Sequence, residues 1–217
     1  MTGLILKDML VSKRSLKAYF GIMIFYAILT FLGVFNISFV TAFVSVMLIM
    51  LPIGAFSYDE AAKWDRYAMA LPLGRRAVVG ARYLFTLLVT LISLALALLS
   101  GVAVSVTGQG SFIEVMFTAF ATLAAGLLVS DLLLPLCYKL GAERARPYLY
   151  ATIFIPVIVL FLAFRMGVRI DASWLDRLAL SSPGVLLALS SLPLLAALAL
   201  MFVSYLISCR IAAGKEY

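Results

Sequence analysis

FSYDEAAKWDRYAMALPLGRR, residues Phe56 to Arg76, is a charged and aromatic segment inside a chain that is otherwise strongly apolar. Of the 217 residues, 65% are hydrophobic and only 12% are charged. Soluble domains contain about 45–50% apolar residues, and a water-soluble fold does not hide this much additional apolar surface. The segment therefore interrupts a series of membrane spans, and the chain is predicted to be an all-α integral membrane protein.

Six apolar runs are long enough to cross the hydrocarbon core, which takes about 20 helical residues. They are approximately Ala18–Phe35, Phe39–Phe56, Val78–Val106, Phe112–Leu136, Leu149–Phe164 and Val185–Ser208. The first run follows basic residues, as a secretory signal does, but it is long and no small-x-small cleavage site follows it. We expect it to be retained, so residues 1–217 form a single transmembrane domain of six helices.

The distribution of basic residues predicts the orientation, because cytoplasmic loops are enriched in lysine and arginine. All 17 lysines and arginines except Arg165, Arg169 and Arg177 fall at the N-terminus, in the second and fourth loops with their flanks, or in the tail. Both termini are therefore predicted to be cytoplasmic. Cys137 and Cys209 end apolar runs on that same side, where reduced thiols are expected rather than a disulfide.

Several function classes are disfavoured by residues that the sequence lacks. The net charge of +7 is scattered between apolar runs rather than gathered on a basic face, which argues against nucleic acid as a partner. The chain contains no histidine, the commonest metal ligand and general base, and no G-x-x-x-x-G-K-[ST] loop for nucleotide phosphates. We therefore expect no catalytic residue, no metal and no cofactor bound by this chain.

The segment after the second run has the pattern of an amphipathic surface helix. Ser57 and Glu60 form a capping box, and Pro72 disfavours helix at the preceding residue, so a helix from Tyr58 to Ala70 is predicted. Its apolar face carries Trp64, Tyr67, Ala68 and Leu71, and its charged face carries Asp59, Lys63 and Arg66, with Asp59 and Lys63 spaced as an ion pair. The residues allow two interpretations, a membrane-surface anchor or a docking helix for a cytoplasmic partner.

Glu114 and Asp131 are the carboxylates that fall inside apolar runs, where charges are costly and often functional. In one interpretation Glu114 reaches the outer surface, and Asp131 pairs with Arg82 at the start of the adjacent antiparallel span. In the other interpretation Asp131 serves an ion-coupled transporter or channel. Neither carboxylate is placed at the membrane midplane, where coupling ions usually bind.

The order of GLILKDML, two spans and SYDE..KWDRY...LP..RR resembles the membrane subunits of ABC-2 type exporters, over essentially the whole chain. The resemblance implies a permease of the bacterial cytoplasmic (inner) membrane that pairs with a second permease copy or a sister subunit. It also implies two cytoplasmic ABC ATPase subunits, which bind the ATP and Mg²⁺. An elbow helix at about Gly3 to Leu16, with Leu6, Met9 and Leu10 toward lipid, and a short outer helix at Ser173–Asp176 are implied as well.

The same resemblance identifies the charged segment as a coupling helix seated in the ATPase. The ATPase-coupling residues that it implies are Tyr58, Asp59, Glu60, Lys63, Trp64, Asp65, Arg66, Tyr67, Arg75 and Arg76. The implied function is ATP-driven export of a hydrophobic or amphipathic cargo, with peptides and antibiotics as the cargoes typical of small permeases of this kind. The alternatives are an ion-coupled transporter or channel, and a membrane anchor that recruits a cytoplasmic protein without transport.

Overall fold

The computed structural model describes residues 2–32, 37–64, 67–68, 74–107, 111–166 and 183–214. Long helices dominate these ranges, as the apolar runs predict. In chain order they are α1 Thr2–Val11, α2 Lys13–Phe31, α3 Ile37–Ala61, α4 Arg75–Thr107, α5 Phe112–Leu140, α6 Ala142–Arg165 and α7 Pro183–Ala213. The predicted outer helix at Ser173–Asp176 lies outside the described residues.

Five of these helices contain a segment long and apolar enough to cross a membrane. The segments are Phe43–Ala61, Arg75–Val102, Phe112–Leu140, Ala142–Ala163 and Leu187–Ala213, and they correspond to the second through sixth predicted runs. Helix α2 is not among them. Its first turns carry Lys13, Arg14 and Lys17, and the rest of the helix to Phe31 rises only about 21 Å against a hydrocarbon core of about 30 Å. The count of six spans therefore stays a prediction.

Helix α5 is at the centre of the bundle, where it packs against α3, α4, α6 and α7. The main core cluster consists of Val44, Leu48, Val79, Tyr83, Leu123, Ala124, Leu127, Leu134, Leu194, Ala197, Met201 and Ala212. Gly126 allows α5 to approach α3 closely, since a Cβ atom there would lie 3.2 Å from the carbonyl oxygen of Ser45. Helix α6 is peripheral, with 12% of its apolar segment buried.

The N-terminal helix α1 lies against α4 and the end of α3, and its assignment as an elbow helix stays a prediction. Leu6 and Leu10 are exposed, as predicted, but Met9 packs against a core cluster of α3 and α4 and does not face outward. The helix is shorter than predicted, because it ends at Val11 and a break at Ser12 separates it from α2. Backbone hydrogen bonds bridge the break, from Ser12 N to Asp8 O and from Leu16 N to Ser12 O.

The prediction of a separate helix that begins at Tyr58 is wrong. Helix α3 continues through this residue to Ala61, and the Ser57 hydroxyl donates to the carbonyl of Ile53 one turn earlier, so Ser57 does not cap a helix start. The continuous helix ends at Ala61, and Lys63 in the turn after it adopts a left-handed φ of 51°. No proline or glycine lies between Phe56 and this turn, which explains why the helix of the second span extends beyond its apolar part.

Candidate functional site

Four charged side chains meet where α1, the end of α3 and the start of α4 come together, and we call them the four-charge cluster: Lys7, Asp8, Asp59 and Arg82. Lys7 Nζ lies 2.7 and 2.8 Å from the two carboxyl oxygens of Asp59 and 3.1 Å from Asp8 Oδ1. Arg82 Nη1 lies 3.2 Å from Asp8 Oδ2, and Arg82 Nη2 donates to Asp59 Oδ2. Because two cations face two anions, the attraction offsets part of the cost of removing all four from water.

Aromatic rings cover the two cations of the cluster. The Cζ atom of Arg82 lies 4.5 Å from the centre of the Phe56 ring, and Lys7 Nζ lies 4.7 Å from that of Trp64. Phe56 also packs edge-on against Tyr138 of α5, with ring centres 4.8 Å apart. The cluster is therefore connected through its aromatic neighbours to the central helix and to the chain that follows α3.

The predicted ion pair between Asp59 and Lys63 is wrong. The side chain of Asp59 faces the bundle and is bonded to Lys7 and Arg82, and the whole residue is only 8% exposed. Lys63 comes after the end of α3, where its positive φ removes it from the register in which residues four apart face each other. Asp59 therefore belongs to the interior and not to a charged docking face.

Glu60 caps a different helix from the one that the sequence suggested. Its Oε2 atom accepts hydrogen bonds from the backbone amides of Ala142, at 2.7 Å, and Glu143, at 3.4 Å, which are the first two residues of α6. A carboxylate at a helix N-terminus satisfies unpaired amides and complements the helix dipole. Gly141 permits this approach, with a φ of 87° and space that a Cβ atom would fill at 2.7 Å from Glu60 Oε1.

The remaining predicted coupling residues divide into exposed and structural ones. Tyr58 and Lys63 are exposed, and Tyr67 is 67% exposed, so these three side chains are accessible to a partner. Trp64 is half-buried against Lys7. Asp65 and Arg66 lie outside the described residues.

The two arginines that begin α4 behave differently from each other. The Nη1 atom of Arg75 donates to the carbonyl oxygen of Ala213 at 2.7 Å, which joins the start of α4 to the end of α7. Arg76 is exposed and lines a surface pocket with Arg210. Arg75 therefore has a structural contact in addition to its predicted role in coupling.

The predicted pair of Asp131 with Arg82 is wrong. Arg82 forms ion pairs with Asp8 and Asp59, whereas both carboxyl oxygens of Asp131 lack a hydrogen-bond partner within the described ranges. Asp131 is 6% exposed, and its backbone carbonyl accepts a hydrogen bond from the Ser204 hydroxyl at 2.6 Å. Glu114 is exposed in the first turn of α5, in agreement with the interpretation that it reaches the surface.

Lys7, Asp8 and Gly141 are site residues that the sequence did not reveal as such. Asp8 interrupts the apolar stripe of α1, and this was the one sign in the sequence that it has a special role. Nothing nearby indicated its partner, Arg82, which follows 74 positions later in α4. Gly141 follows directly after α5, as a common helix-ending glycine does. In the part of the chain that is described, no three His, Cys, Asp or Glu side chains gather as a metal site.

The chain is a multi-pass membrane protein whose apolar spans are joined at one end by buried ion pairs and by a side-chain cap. The described residues contain no visible reaction centre. Residues 3–213 match the family described as "ABC-2 family transporter protein", and the chain belongs to that family. It is therefore a membrane transport subunit, a class that is generally not catalytic. No curated protein and no solved structure matches the chain.

Proposed function

We propose that this chain is the permease subunit of an ATP-driven exporter in a bacterial cytoplasmic membrane, with the basic end of the bundle facing the cytoplasm. Two ATPase subunits bind ATP and Mg²⁺, and a second permease copy or a sister subunit completes the pathway. The observation that carries the proposal is the four-charge cluster, because it ties the exposed end of α3 to α1 and α4 by buried contacts.

In this mechanism the ATPase contacts accessible side chains in the last turn of α3 and after it, which are Tyr58, Lys63 and Tyr67. Displacement of the end of α3 moves α1 and α4 with it, since Asp59 is bonded to Lys7 and Arg82. Glu60 carries the same displacement to the first turn of α6. Four helices thus shift together, as packed elements do when an interface rearranges.

The cargo that fits this permease is hydrophobic or amphipathic, and a peptide is the form we favour. Within the described ranges two acids of the apolar spans, Glu114 and Glu143, are exposed at a helix start. Asp59 and Glu60 are bonded to other helices, and Asp131 is enclosed in the bundle. We infer that none of these five acids binds a small ion. An apolar cargo needs no such charge.

The test compares the exposed surface with a matched control. The double variant Lys63→Ala and Tyr67→Ala removes an exposed cation and an exposed ring beyond α3, whereas Lys17→Ala and Tyr148→Ala removes the same two residue types, also exposed, from α2 and α6. Interface anchors of this kind often contribute about 2 kcal/mol, so we expect the first variant to retain about 30-fold less ATPase on co-purification. Hydrolysis should also become independent of cargo.

Both variants should insert and unfold at the same temperature as the wild type, because neither changes a buried contact. Equal ATPase retention in the two variants would exclude this surface from docking. ATPase binding without any cargo movement in proteoliposomes would instead favour a non-transporting membrane anchor.

A second candidate function is supported by Asp131, the buried carboxylate that has no hydrogen-bond partner among the described residues. A gradient-coupled transporter or channel would use such an acid to bind its ion. The discriminating measurement is flux into proteoliposomes that contain this chain without an ATPase. Flux that follows an ion gradient and is lost in Asp131→Asn would replace the exporter proposal.

A further inference from the structure

Helices α4 and α7 enclose an apolar groove that opens on the outside of the bundle. The groove has a volume of about 510 Å³, and its lining is almost entirely apolar: Gly80, Tyr83, Leu84, Leu87, Leu198, Met201, Phe202 and Tyr205. The hydroxyl of Tyr83 already has partners, because it is hydrogen-bonded to Ser204 and Ser208 at 2.6 and 2.8 Å. The groove therefore offers mainly hydrocarbon contacts to a ligand.

A basic pocket continues the groove toward the basic end of the bundle. This pocket has a volume of about 310 Å³ and is lined by Arg76 of α4 and by Tyr205, Leu206, Cys209, Arg210 and Ala213 of α7. Tyr205 borders both cavities. Together they form one seam along α4 and α7, apolar in the membrane interior and cationic at the helix ends, which we call the α4–α7 seam.

The two arginines of the seam are available to a ligand. Both Arg76 and Arg210 are exposed, and neither forms an ion pair with an acid in the described ranges. The neighbouring Arg75 bonds the last carbonyl of α7, at Ala213, and thereby holds the two helix ends together. An anion that enters between Arg76 and Arg210 meets two guanidinium groups whose planar donors suit a phosphate.

The length of the seam fits one leaflet of a membrane. From Arg76 to Leu87 α4 rises about 17 Å, and from Leu198 to Ala213 α7 rises about 22 Å, at 1.5 Å per residue. Half of a hydrocarbon core is about 15 Å thick, and a headgroup region lies beyond it. An acyl chain in the apolar part therefore places its phosphate at the level of the two arginines.

We propose that the α4–α7 seam binds one anionic glycerophospholipid, with an acyl chain in the apolar groove and the phosphate between Arg76 and Arg210. Basic pockets between spans are the usual places where acidic lipid headgroups are held. The lipid would stabilise the contact between the second and the last of the five spans, near the four-charge cluster on α4. This role is independent of the cargo and of the ATPase.

The first experiment is native mass spectrometry of the full-length chain released from nanodiscs of phosphatidylglycerol or phosphatidylcholine. We expect the wild type to retain one phosphatidylglycerol and little phosphatidylcholine. Each basic residue near a membrane contributes about 1 kcal/mol to the attraction of acidic lipid, so Arg76→Gln with Arg210→Gln should lower retention about 30-fold. The matched control, Lys13→Gln with Arg14→Gln on α2, should retain the lipid as the wild type does.

Equal retention of both lipids by the wild type, or equal retention of phosphatidylglycerol by the two double variants, would overturn the proposal. A second variant tests the apolar part, because Gly80→Leu fills the groove without removing a charge. It should lose the lipid as the arginine variant does. Retention of phosphatidylglycerol with Gly80→Leu would also count against an acyl chain in this groove.

The native thiol of Cys209 gives a second readout, since it lines the basic pocket whereas Cys137 is buried. In a Cys137→Ala background, N-ethylmaleimide should modify Cys209 about tenfold more slowly in phosphatidylglycerol than in phosphatidylcholine. Inorganic phosphate should not protect it. Protection of Cys209 in both lipids, seen only in samples in which two copies of the chain can be cross-linked, would assign the seam to a second copy. That result would contradict the lipid site.

Discussion

Asp59 of α3 and Asp131 of α5 are both buried acids with nearly the same exposure. They differ in whether charged groups from other helices contact them. Asp59 is 8% exposed and is bonded to two cations from two other helices. Asp131 is 6% exposed, and no described group donates to its carboxyl oxygens. Burial alone therefore does not distinguish an acid that joins helices from one that is merely enclosed by them.

The difference has an energetic consequence. A buried ion pair that loses one partner leaves an uncompensated charge in a medium of low polarity, which costs about 3–5 kcal/mol. An acid that has no partner can lose its charge without that penalty. Stability measurements should therefore separate the two regions clearly.

The largest effect is expected for Arg82→Met. This change leaves Asp8 and Asp59 facing only Lys7, so the free energy of unfolding should fall by about 3–5 kcal/mol. Thermal unfolding in detergent, followed by the exposure of Cys137 to a thiol reagent, measures the loss. Arg144→Met, at an exposed arginine of α6, is the control and should unfold as the wild type does. Equal midpoints for the two variants would show that the cluster does not hold the helices together.

A smaller effect is expected for Gly141→Ala, which tests the cap that Glu60 forms on the first backbone amides of α6. The new Cβ atom combines a strained φ of 87° with a contact of 2.7 Å to Glu60 Oε1. We expect a loss of about 2 kcal/mol in the free energy of unfolding, measured in the same assay. Gly54→Ala in α3 is the matched control, because nothing lies within 4 Å of its added Cβ atom. Similar stabilities for both variants would argue against the cap.

The smallest effect is expected for Asp131→Asn. The substitution keeps the shape of the side chain and removes no described hydrogen bond, since the bond from Ser204 is made to the backbone carbonyl. The free energy of unfolding should stay within about 1 kcal/mol of the wild type or rise, because a polar amide is cheaper to bury than a carboxylate. A loss on the scale of Arg82→Met would mean that Asp131 has a strong partner after all.

The sequence predicted the parts of the fold that depend on local composition. Apolar runs located five spans, because about 20 residues of continuous hydrocarbon contact leave few alternatives to a membrane helix. An N-terminal helix is present where one was predicted but is shorter, since Ser12 interrupts it with an ordinary helical φ of −80° that no residue type signals. The segment after α3 was less predictable, because Lys63 takes a left-handed conformation that is uncommon for lysine.

Long-range pairing is what the sequence did not supply. Asp131 was expected to pair with Arg82 because the two residues are on adjacent antiparallel spans, and this expectation ignored α1, whose Asp8 pairs with Arg82. The acid that came from α1, Asp8, sits in a helix that was expected only to lie on lipid. Ser57 and Glu60 matched a local capping motif, yet Glu60 caps α6, 82 residues later. A short motif cannot exclude a better partner that the fold brings near.

The bond between Glu60 and Ala142 also bears on how the protein is made. The acid is synthesised 82 residues before the amide that it caps, so α3, α4 and α5 have all been synthesised before the first turn of α6. The amides of that turn are capped only if the end of α3 lies on the same side of the membrane as the end of α5. If the earlier helices insert in the wrong direction, Glu60 lies on the other side of the membrane from the start of α6. The first amides of α6 then stay unpaired, and this turn is open to proteolysis during biogenesis.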